Sequence, residues 1–124
     1  SMTAIQLTRW GQTTAAGLPY QHVHIHIATA DGLIEPADLK GLTLPPGMVW
    51  SQGVVLEGKA PIWLYSYLVH ECHAAVWVAC FDPRLGDGTE NSGGAVVVAT
   101  HSRQVAVGQV LGVTIPAIES GGTA

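Results

Sequence analysis

Residues with chemically versatile side chains lie on both sides of one apolar segment. His70 and His73 precede it, and Asp82 and Arg84 follow it. All the residues between His73 and Asp82 are apolar, as expected of a buried strand. A further histidine, His101, follows the next apolar run. Such a set of imidazoles, a carboxylate and a guanidinium could bind a phosphate, hold a metal ion or move protons near neutral pH.

The spacing of His70 and His73, i and i+3, places both on one helix face near the helix C-terminus. The negative end of the helix dipole favours protonated imidazole, which suits a general acid or a phosphate contact. As metal ligands they need a third group, for which Asp82 or His101 could serve. In the alternative interpretation, one histidine caps the helix end and the other is solvated.

The turn Asp82-Pro83-Arg84 follows a predicted strand. Because proline ends the sheet ladder and stiffens the chain, it fixes the directions of the two charged side chains. Arg84 could hold a phosphate through paired hydrogen bonds or stabilise charge that develops during displacement. Asp82 could orient a histidine or bind a metal. The alternative is an Asp/Arg turn pair with a capping role.

Gly58-Lys59-Ala60-Pro61 connects a strand to the start of a helix. Glycine permits close backbone approach, the free amides of a helix start favour an anion, and Lys59 adds a positive charge. A plain strand-to-helix turn has a similar sequence, so this segment alone leaves both interpretations open.

Three alternating histidines, His22, His24 and His26, occupy one face of a predicted strand. Two of them could bind a metal as a His-x-His pair. We interpret the run instead as the polar, surface-exposed face of a half-buried strand.

Hydrophobic periodicity predicts the elements that position these groups. The predicted strands are Thr3–Trp10, Gln21–Ala28, Gly53–Glu57, Ala75–Phe81, Ala95–Thr100 and Gln109–Ile115. Pro61–Cys72 is the best helix, with proline at its first position. A short helix is expected within Asp31–Leu39, and Gly11–Gly17 is predicted to be a turn-rich connection.

This element order predicts a small single-domain α/β fold spanning residues 1–124, a Rossmann-like mixed β-sheet with one main helix. Gly53–Phe81 is predicted to be a right-handed parallel crossover, and the last strands are expected to be antiparallel. Ser1 before Met2 resembles an expression scar, and residues 120–124 are expected to be a flexible tail.

Charged residues make up only 11% of the chain, against about 25% in a typical soluble protein. A surface this poor in charge, together with a helix that is apolar nearly all round, indicates that another subunit covers part of it. The net charge of −4 gives no general attraction to DNA or long RNA. Three of the five basic residues, however, are Lys59, Arg84 and Arg103, which fits a small, focused anion site.

Cys72 and Cys80 are the only cysteines, and both fall in segments predicted to be buried. With no signal peptide and no long apolar run, we expect a reduced, cytoplasmic protein that does not bind membranes.

Four segments together resemble the third family of CRISPR ring nucleases, Csx-three, which are small distant relatives of the CRISPR-associated Rossmann-fold (CARF) sensor domains. The segments are Gly53-Val-Val-Leu-Glu-Gly-Lys-Ala-Pro-Ile-Trp-Leu64, His70-x-x-His73, Phe81-Asp-Pro-Arg-Leu-Gly86 and Ala95-Val-Val-Val-Ala-Thr-His-Ser102. Their combination is specific, although no single segment would suffice. The resemblance is dense over about residues 53–112 and covers the first half only through its strand layout.

The resemblance implies a CARF-like fold and an enzyme, a ring nuclease that degrades cyclic tetra-adenylate. This second messenger of type III CRISPR defence would be cut to linear oligoadenylates, which switches off antiviral signalling. The family's activity is manganese-dependent, and dimers, or a tetramer, sandwich the ring. A ribose 2′-hydroxyl is the nucleophile, so the protein needs to position it, stabilise the charge at phosphorus and move protons.

The resemblance also implies roles for particular residues. Catalytic roles fall on His73, Asp82, Arg84 and His101. Ligand-binding roles fall on Gly58, Lys59, Pro61, Ser102 and Arg103. Mn²⁺ ligands would be His70, Asp82 and His101. The chain departs from the family pattern at Asp87–Gly94, a polar insertion that is either inert or closes over the ring.

Two other functions remain alternatives. One is a sensor that binds a cyclic oligoadenylate without cleaving it. The other is a metal-dependent exonuclease that trims RNA 3′ ends, against which the acidic, charge-poor surface argues.

Overall fold

The computed structural model describes residues 3–117, which form one six-stranded sheet whose strand order follows the sequence. The strands are β1 Ile5–Thr13, β2 Pro19–Ile27, β3 Gly53–Glu57, β4 Trp77–Asp82, β5 Ser92–Thr100 and β6 Val110–Thr114. The α-helix α1 spans Ile62–Glu71, and Pro36–Leu39 and Pro83–Leu85 form short 3₁₀ turns. The predicted α/β class, with a mixed sheet and one main helix, is confirmed.

The central strands β2, β3 and β4 are parallel, whereas the outer pairs β1–β2, β4–β5 and β5–β6 are antiparallel. The carboxyl ends of the three parallel strands therefore meet at one edge of the sheet. β5 runs the other way, since Thr100 pairs with Trp77 and Gly94 pairs with Asp82. The end of β5 consequently lies at the opposite edge. The parallel pairing of β3 and β4 on either side of α1 and the antiparallel last strands are both confirmed.

Apolar side chains cover both faces of the sheet. One cluster packs beneath α1 through Leu64 and Leu68, and the other surrounds Trp77 on the opposite face. The sheet is curled enough to bring its first and last strands together: the Ala15 amide in the β1–β2 turn donates to the carbonyl of Gly112 in β6 at 3.0 Å. The outer side of α1 is less covered, and Ile62 is 85% exposed.

Three local predictions need correction. β1 continues to Thr13, because pairing with β2 extends the strand through residues 11–13, which were expected to be a connection. β5 begins at Ser92, since residues 92–94 of the polar insertion pair with β6. The short helix expected within 31–39 is a 3₁₀ turn that begins only at Pro36. The predictions for Ser1, Met2 and residues 120–124 lie outside the described residues.

Cys72 is buried at the end of α1 and Cys80 is half-buried on β4, and both are free thiols. Between residues 3 and 117, no helix is long and apolar enough to cross a membrane.

Candidate functional site

The predicted site residues separate into two groups at opposite edges of the sheet. We call the first group the carboxyl edge, because it follows β3 and β4; it comprises Gly58, Lys59, Pro61, Asp82 and Arg84. We call the second the histidine edge, because it surrounds the C-terminus of α1 and the end of β5; it comprises His70, His73, His101, Ser102 and Arg103. The length of β4, about 16 Å at 3.3 Å per residue, separates the two groups within one subunit.

At the carboxyl edge, Asp82 and Arg84 form a two-pronged ion pair. Nε and Nη2 of Arg84 donate to Oδ1 and Oδ2 of Asp82 at 3.0 and 2.8 Å, and the Arg84 amide also donates to Oδ1. The turn pair with a capping role is therefore present. Hydrogen bonds from Arg84 lower the pKa of Asp82 to about 2, so this carboxylate is ionised at neutral pH. Nη1 of Arg84 has no acceptor among residues 3–117, and the side chain is 85% exposed.

The carboxyl end of β3 continues into Gly58, whose backbone adopts φ +136°. A Cβ there would lie 2.4 Å from the Ile25 carbonyl oxygen, so close packing against β2 requires glycine. The Tyr65 hydroxyl donates to the Gly58 carbonyl at 2.5 Å. These contacts fix the backbone from which the exposed Lys59 extends. Pro61, expected at the first helical position, is instead the N-cap residue that precedes α1, because its backbone is extended.

Lys59 lies between two clefts. One, of about 460 Å³, is lined by His24, His26, Glu57 and Lys59 among others. The second, of about 250 Å³, is also lined by Glu57 and Lys59, with Tyr65, Phe81 and Pro83 on its far side. Ligands of open α/β sheets bind beyond the carboxyl ends of parallel strands, which is where both clefts lie.

At the histidine edge, hydrogen bonds to backbone carbonyls orient the exposed imidazoles. Nδ1 of His73 donates to the His70 carbonyl at 3.1 Å, and Nε2 of His101 donates to the His73 carbonyl at 3.0 Å. The rings of His70 and His73 stack with centroids 5.8 Å apart. These donations leave Nε2 of His73 and Nδ1 of His101 free to accept a proton or bind a ligand. Ser102 and Arg103 follow in the adjoining turn.

The proposed metal ligands do not meet within one subunit. His70 and His101 lie at the histidine edge, whereas Asp82 lies at the carboxyl edge. Across residues 3–117, no group of three histidine, cysteine, aspartate or glutamate side chains is placed to hold a metal ion. A site made of these donors would therefore need a second chain.

Sequence reasoning missed one cluster at the carboxyl edge. His22 Nε2 and His24 Nδ1 both lie 2.8 Å from Oε1 of Glu57. Contrary to the prediction of a surface run, His22 is fully buried. Glu57 from β3 and the rings of Trp10 and Tyr20, at 6.2 and 6.4 Å between centroids, pack against it. His24 is partly buried, and only His26 is exposed. The signal that could have revealed the cluster is the pairing of His24 with Glu57 in the parallel register.

Hydrogen bonds keep the Glu57 carboxylate of this cluster ionised. Burial alone raises the pKa of the Glu57 carboxyl, but the bonds from His22 and His24 outweigh it and lower the pKa to about 2. Glu57 is therefore an ionised, buried acceptor. Nδ1 of His22 is buried without a partner among the described residues.

The polar insertion Asp87–Gly94 extends the β4–β5 connection beyond Leu85. The Asp87 amide donates to the Ser92 hydroxyl at 3.3 Å, and the Asn91 carbonyl accepts from the Ile115 amide at 2.8 Å. The insertion is thus tied to the sheet, and His101 keeps its place directly after β5.

Comparison with known proteins agrees with this arrangement of motifs. The chain is 42% identical over 80 residues to an uncharacterized protein of Aquifex aeolicus (strain VF5). That match covers 61% of this chain and 65% of the relative, so it spans slightly less than two thirds of the relative's length. The family described as CRISPR-associated protein (Cas_csx3) matches residues 27–112, which is well over half of the chain and includes both edges. The resemblance to the Csx-three family is therefore confirmed, and the chain belongs to the Cas_csx3 family of CRISPR-associated proteins.

Proposed function

We propose that this protein is a ring nuclease, a phosphodiesterase that cuts cyclic tetra-adenylate to linear oligoadenylates in the cytoplasm and so switches off type III CRISPR signalling. The observation that carries the proposal is the division of the site between two edges of the sheet. Each edge holds some of the groups that phosphodiester cleavage needs: exposed cations at the carboxyl edge and imidazoles at the histidine edge.

The carboxyl edge is suited to hold phosphates. Lys59 and Arg84 are exposed cations on neighbouring strand ends, and no acidic side chain caps the first turn of α1. Because Asp82 anchors two nitrogens of Arg84, the guanidinium can present Nη1 to a phosphate oxygen in a fixed direction. A few focused cations fit a compact tetra-anion better than they fit a long nucleic acid.

The histidine edge is suited to move protons. His73 and His101 each have one ring nitrogen held by a backbone carbonyl and one left free. Imidazoles change protonation near neutral pH, whereas the Asp82 carboxylate, with a pKa of about 2, does not. We therefore assign proton transfer to histidines and orientation of Arg84 to Asp82.

A complete site forms when the histidine edge of one subunit faces the carboxyl edge of another, with the ring between them. A dimer or tetramer arranged in this way fits a ring that itself carries rotational symmetry. The exposed Ile62 and the charge-poor surface are consistent with such association.

In the proposed reaction, a ribose 2′-hydroxyl attacks the adjacent phosphorus as an imidazole takes its proton. The new P–O2′ bond replaces the P–O5′ bond, and a second imidazole donates a proton to the leaving 5′-oxygen. The products end in a 2′,3′-cyclic phosphate and a 5′-hydroxyl. Arg84 stabilises the negative charge on the phosphate oxygens as the bond changes occur.

Manganese dependence is part of the proposal. The donors implied for Mn²⁺, His70, His101 and Asp82, do not fit one ion within a subunit, and we derive no step through a metal. Where two subunits face each other, the two histidines of one subunit would approach the aspartate of the other. Together they would form a set of imidazole and carboxylate ligands of a kind that Mn²⁺ binds.

The test is chromatography of products after the purified protein is incubated with cyclic tetra-adenylate, cyclic hexa-adenylate or linear RNA, with Mn²⁺ or with a chelator. We expect linear adenylates from the tetra-adenylate ring and faster turnover with Mn²⁺. If fresh protein with Mn²⁺ leaves the ring intact, the proposal is wrong. Tight binding of an intact ring would instead identify a sensor, and preferential shortening of linear RNA would identify an exonuclease.

A further inference from the structure

The cluster of His22, Glu57 and His24 leaves one imidazole nitrogen available at the carboxyl edge. Both His22 Nε2 and His24 Nδ1 lie 2.8 Å from the same oxygen of Glu57. Since the ionised carboxylate has no hydrogen to give, each ring nitrogen must donate. In the neutral His24 ring, Nε2 is then the hydrogen-bond acceptor, and no residue between 3 and 117 donates to it.

His24 is the solvent-facing end of this cluster. Its side chain is 23% exposed, whereas the side chains of His22 and Glu57 are 0% and 10% exposed. It lines the cleft of about 460 Å³ together with Glu57 and Lys59. The cleft thus combines the outer ring nitrogen of His24, the Lys59 ammonium group and the Glu57 carboxylate.

A purely structural role accounts poorly for this arrangement. Burying a carboxylate and an imidazole costs desolvation energy, and Nδ1 of His22 is left without a partner among the described residues. Val55, the register partner of His22, shows that apolar side chains suit this part of the sheet. Carboxylates that hold a histidine in one tautomer commonly do so for a group that contacts a ligand.

We propose that His24 contacts the ligand: its Nε2 accepts a hydrogen bond from a ribose hydroxyl while Lys59 binds the neighbouring phosphate. This inference rests on the proposed function, because a cyclic oligoadenylate repeats the same ribose-phosphate unit. Lys59 and Arg84 follow different strands and engage different units of the ring. Glu57 is a positioning residue that fixes the His24 tautomer, and His22 anchors Glu57 from behind.

The test compares binding of cyclic tetra-adenylate by variants made in a His73→Ala background, which removes an imidazole of the histidine edge and slows turnover. His24→Asn keeps an amide that can donate to Glu57 but lacks the acceptor at Nε2. We expect its affinity to fall by about tenfold, the effect of losing one hydrogen bond, with little change in melting temperature. His24→Ala should lose both affinity and stability.

Two controls separate a ligand contact from a general effect. His26 lines the same cleft and is exposed, and it has no bond to Glu57, so His26→Ala should change affinity less than twofold. With a ring of 2′-deoxyadenylates, His24→Asn and the parent should bind equally, because the hydroxyl is absent.

The outcomes are distinct. If the parent and His24→Asn bind cyclic tetra-adenylate equally well, the role assigned to His24 is wrong while the proposed function stands. An equal loss in His26→Ala, or an unchanged difference with the deoxy ring, also overturns the ribose contact. If the parent binds no ring, both proposals fall.

Discussion

At the scale of single residues, the two carboxylates of the carboxyl edge are fixed by different partners. Asp82 is tied to an exposed guanidinium, whereas Glu57 is buried between two imidazoles. In both, hydrogen bonds hold the pKa at about 2, so neither carries protons near neutral pH. Their contribution is orientation: Asp82 directs Arg84, and Glu57 directs His24. In the proposed reaction, proton transfer therefore falls to the imidazoles.

Glu57→Gln should make stability less dependent on pH. Because the folded pKa of Glu57, about 2, is below the value of 4.5 usual for a glutamate, the carboxylate stabilises the fold above pH 4.5, and this stabilisation is lost as the pH falls towards 2. At pH 7 we expect the variant to lose about 3 kcal/mol of unfolding free energy. Urea unfolding at several pH values measures this, with the exposed Glu90→Gln as the matched control. A variant with the same pH slope as the wild type between pH 4.5 and 2 would contradict it.

Arg84→Lys should reduce ring cleavage by at least about tenfold without affecting stability, since lysine keeps the charge but cannot form a two-pronged bond to Asp82 and still offer a directed N–H. The side chain is 85% exposed, so the melting temperature should be unchanged. Cleavage rates at saturating ring, measured beside thermal unfolding, test this. An unchanged rate would mean that charge alone suffices at this position.

At the scale of elements, the connection from β3 to α1 is the most constrained part of the carboxyl edge. Gly58 packs against the Ile25 backbone, and the Tyr65 hydroxyl from the first turns of α1 bonds to its carbonyl. Burial raises the pKa of Tyr65 to about 12, so this hydroxyl keeps its hydrogen and remains a donor. Strand, turn and helix thereby fix the backbone from which Lys59 extends between the two clefts.

Gly58→Ala should destabilise the protein by about 2 kcal/mol or more, because the new Cβ meets the Ile25 carbonyl at 2.4 Å and the backbone is at φ +136°. Gly11→Ala is the control, as nothing lies within 4 Å of a Cβ there. Thermal unfolding of both variants measures the difference. If the two variants unfold at the same temperature, the close approach of β3 to β2 is not a constraint.

Most of the strands and the main helix could be predicted from the sequence, because local patterns determine whether a segment forms a helix or a strand. A short run with β-branched residues predicts β3 to the residue, and the apolar run Pro61–Cys72 predicts α1 to within one residue at each end. The predictions that were wrong concern strand bounds and side-chain burial, which depend on residues distant in sequence. Pairing with β2 extends β1 through a glycine that locally predicts a turn, and the buried state of His22 requires knowing that β3 lies beside it.

At the scale of the whole molecule, the antiparallel course of β5 decides how the site can work. It carries His101 to the histidine edge, away from Arg84, and the C-terminus of α1 carries His73 there too. A subunit therefore carries the two groups of predicted site residues at opposite edges of its sheet. In the proposed assembly, the histidine edge of one subunit meets the carboxyl edge of another, so cleavage should depend on assembly as well as on each residue.

Mixing two inactive variants tests this directly. Arg84→Ala removes the guanidinium of the carboxyl edge and leaves the histidine edge intact, and His73→Ala does the reverse. If facing subunits form the site, exchange of subunits makes about a quarter of the contacts fully intact, so the mixture should recover about a quarter of wild-type cleavage. A double variant, His73→Ala with Arg84→Ala, is the control: mixed with either single variant, it supplies no intact contact and should recover nothing. Because a site contained within one chain gains nothing from mixing, a mixture as inactive as its components would show that each subunit works alone.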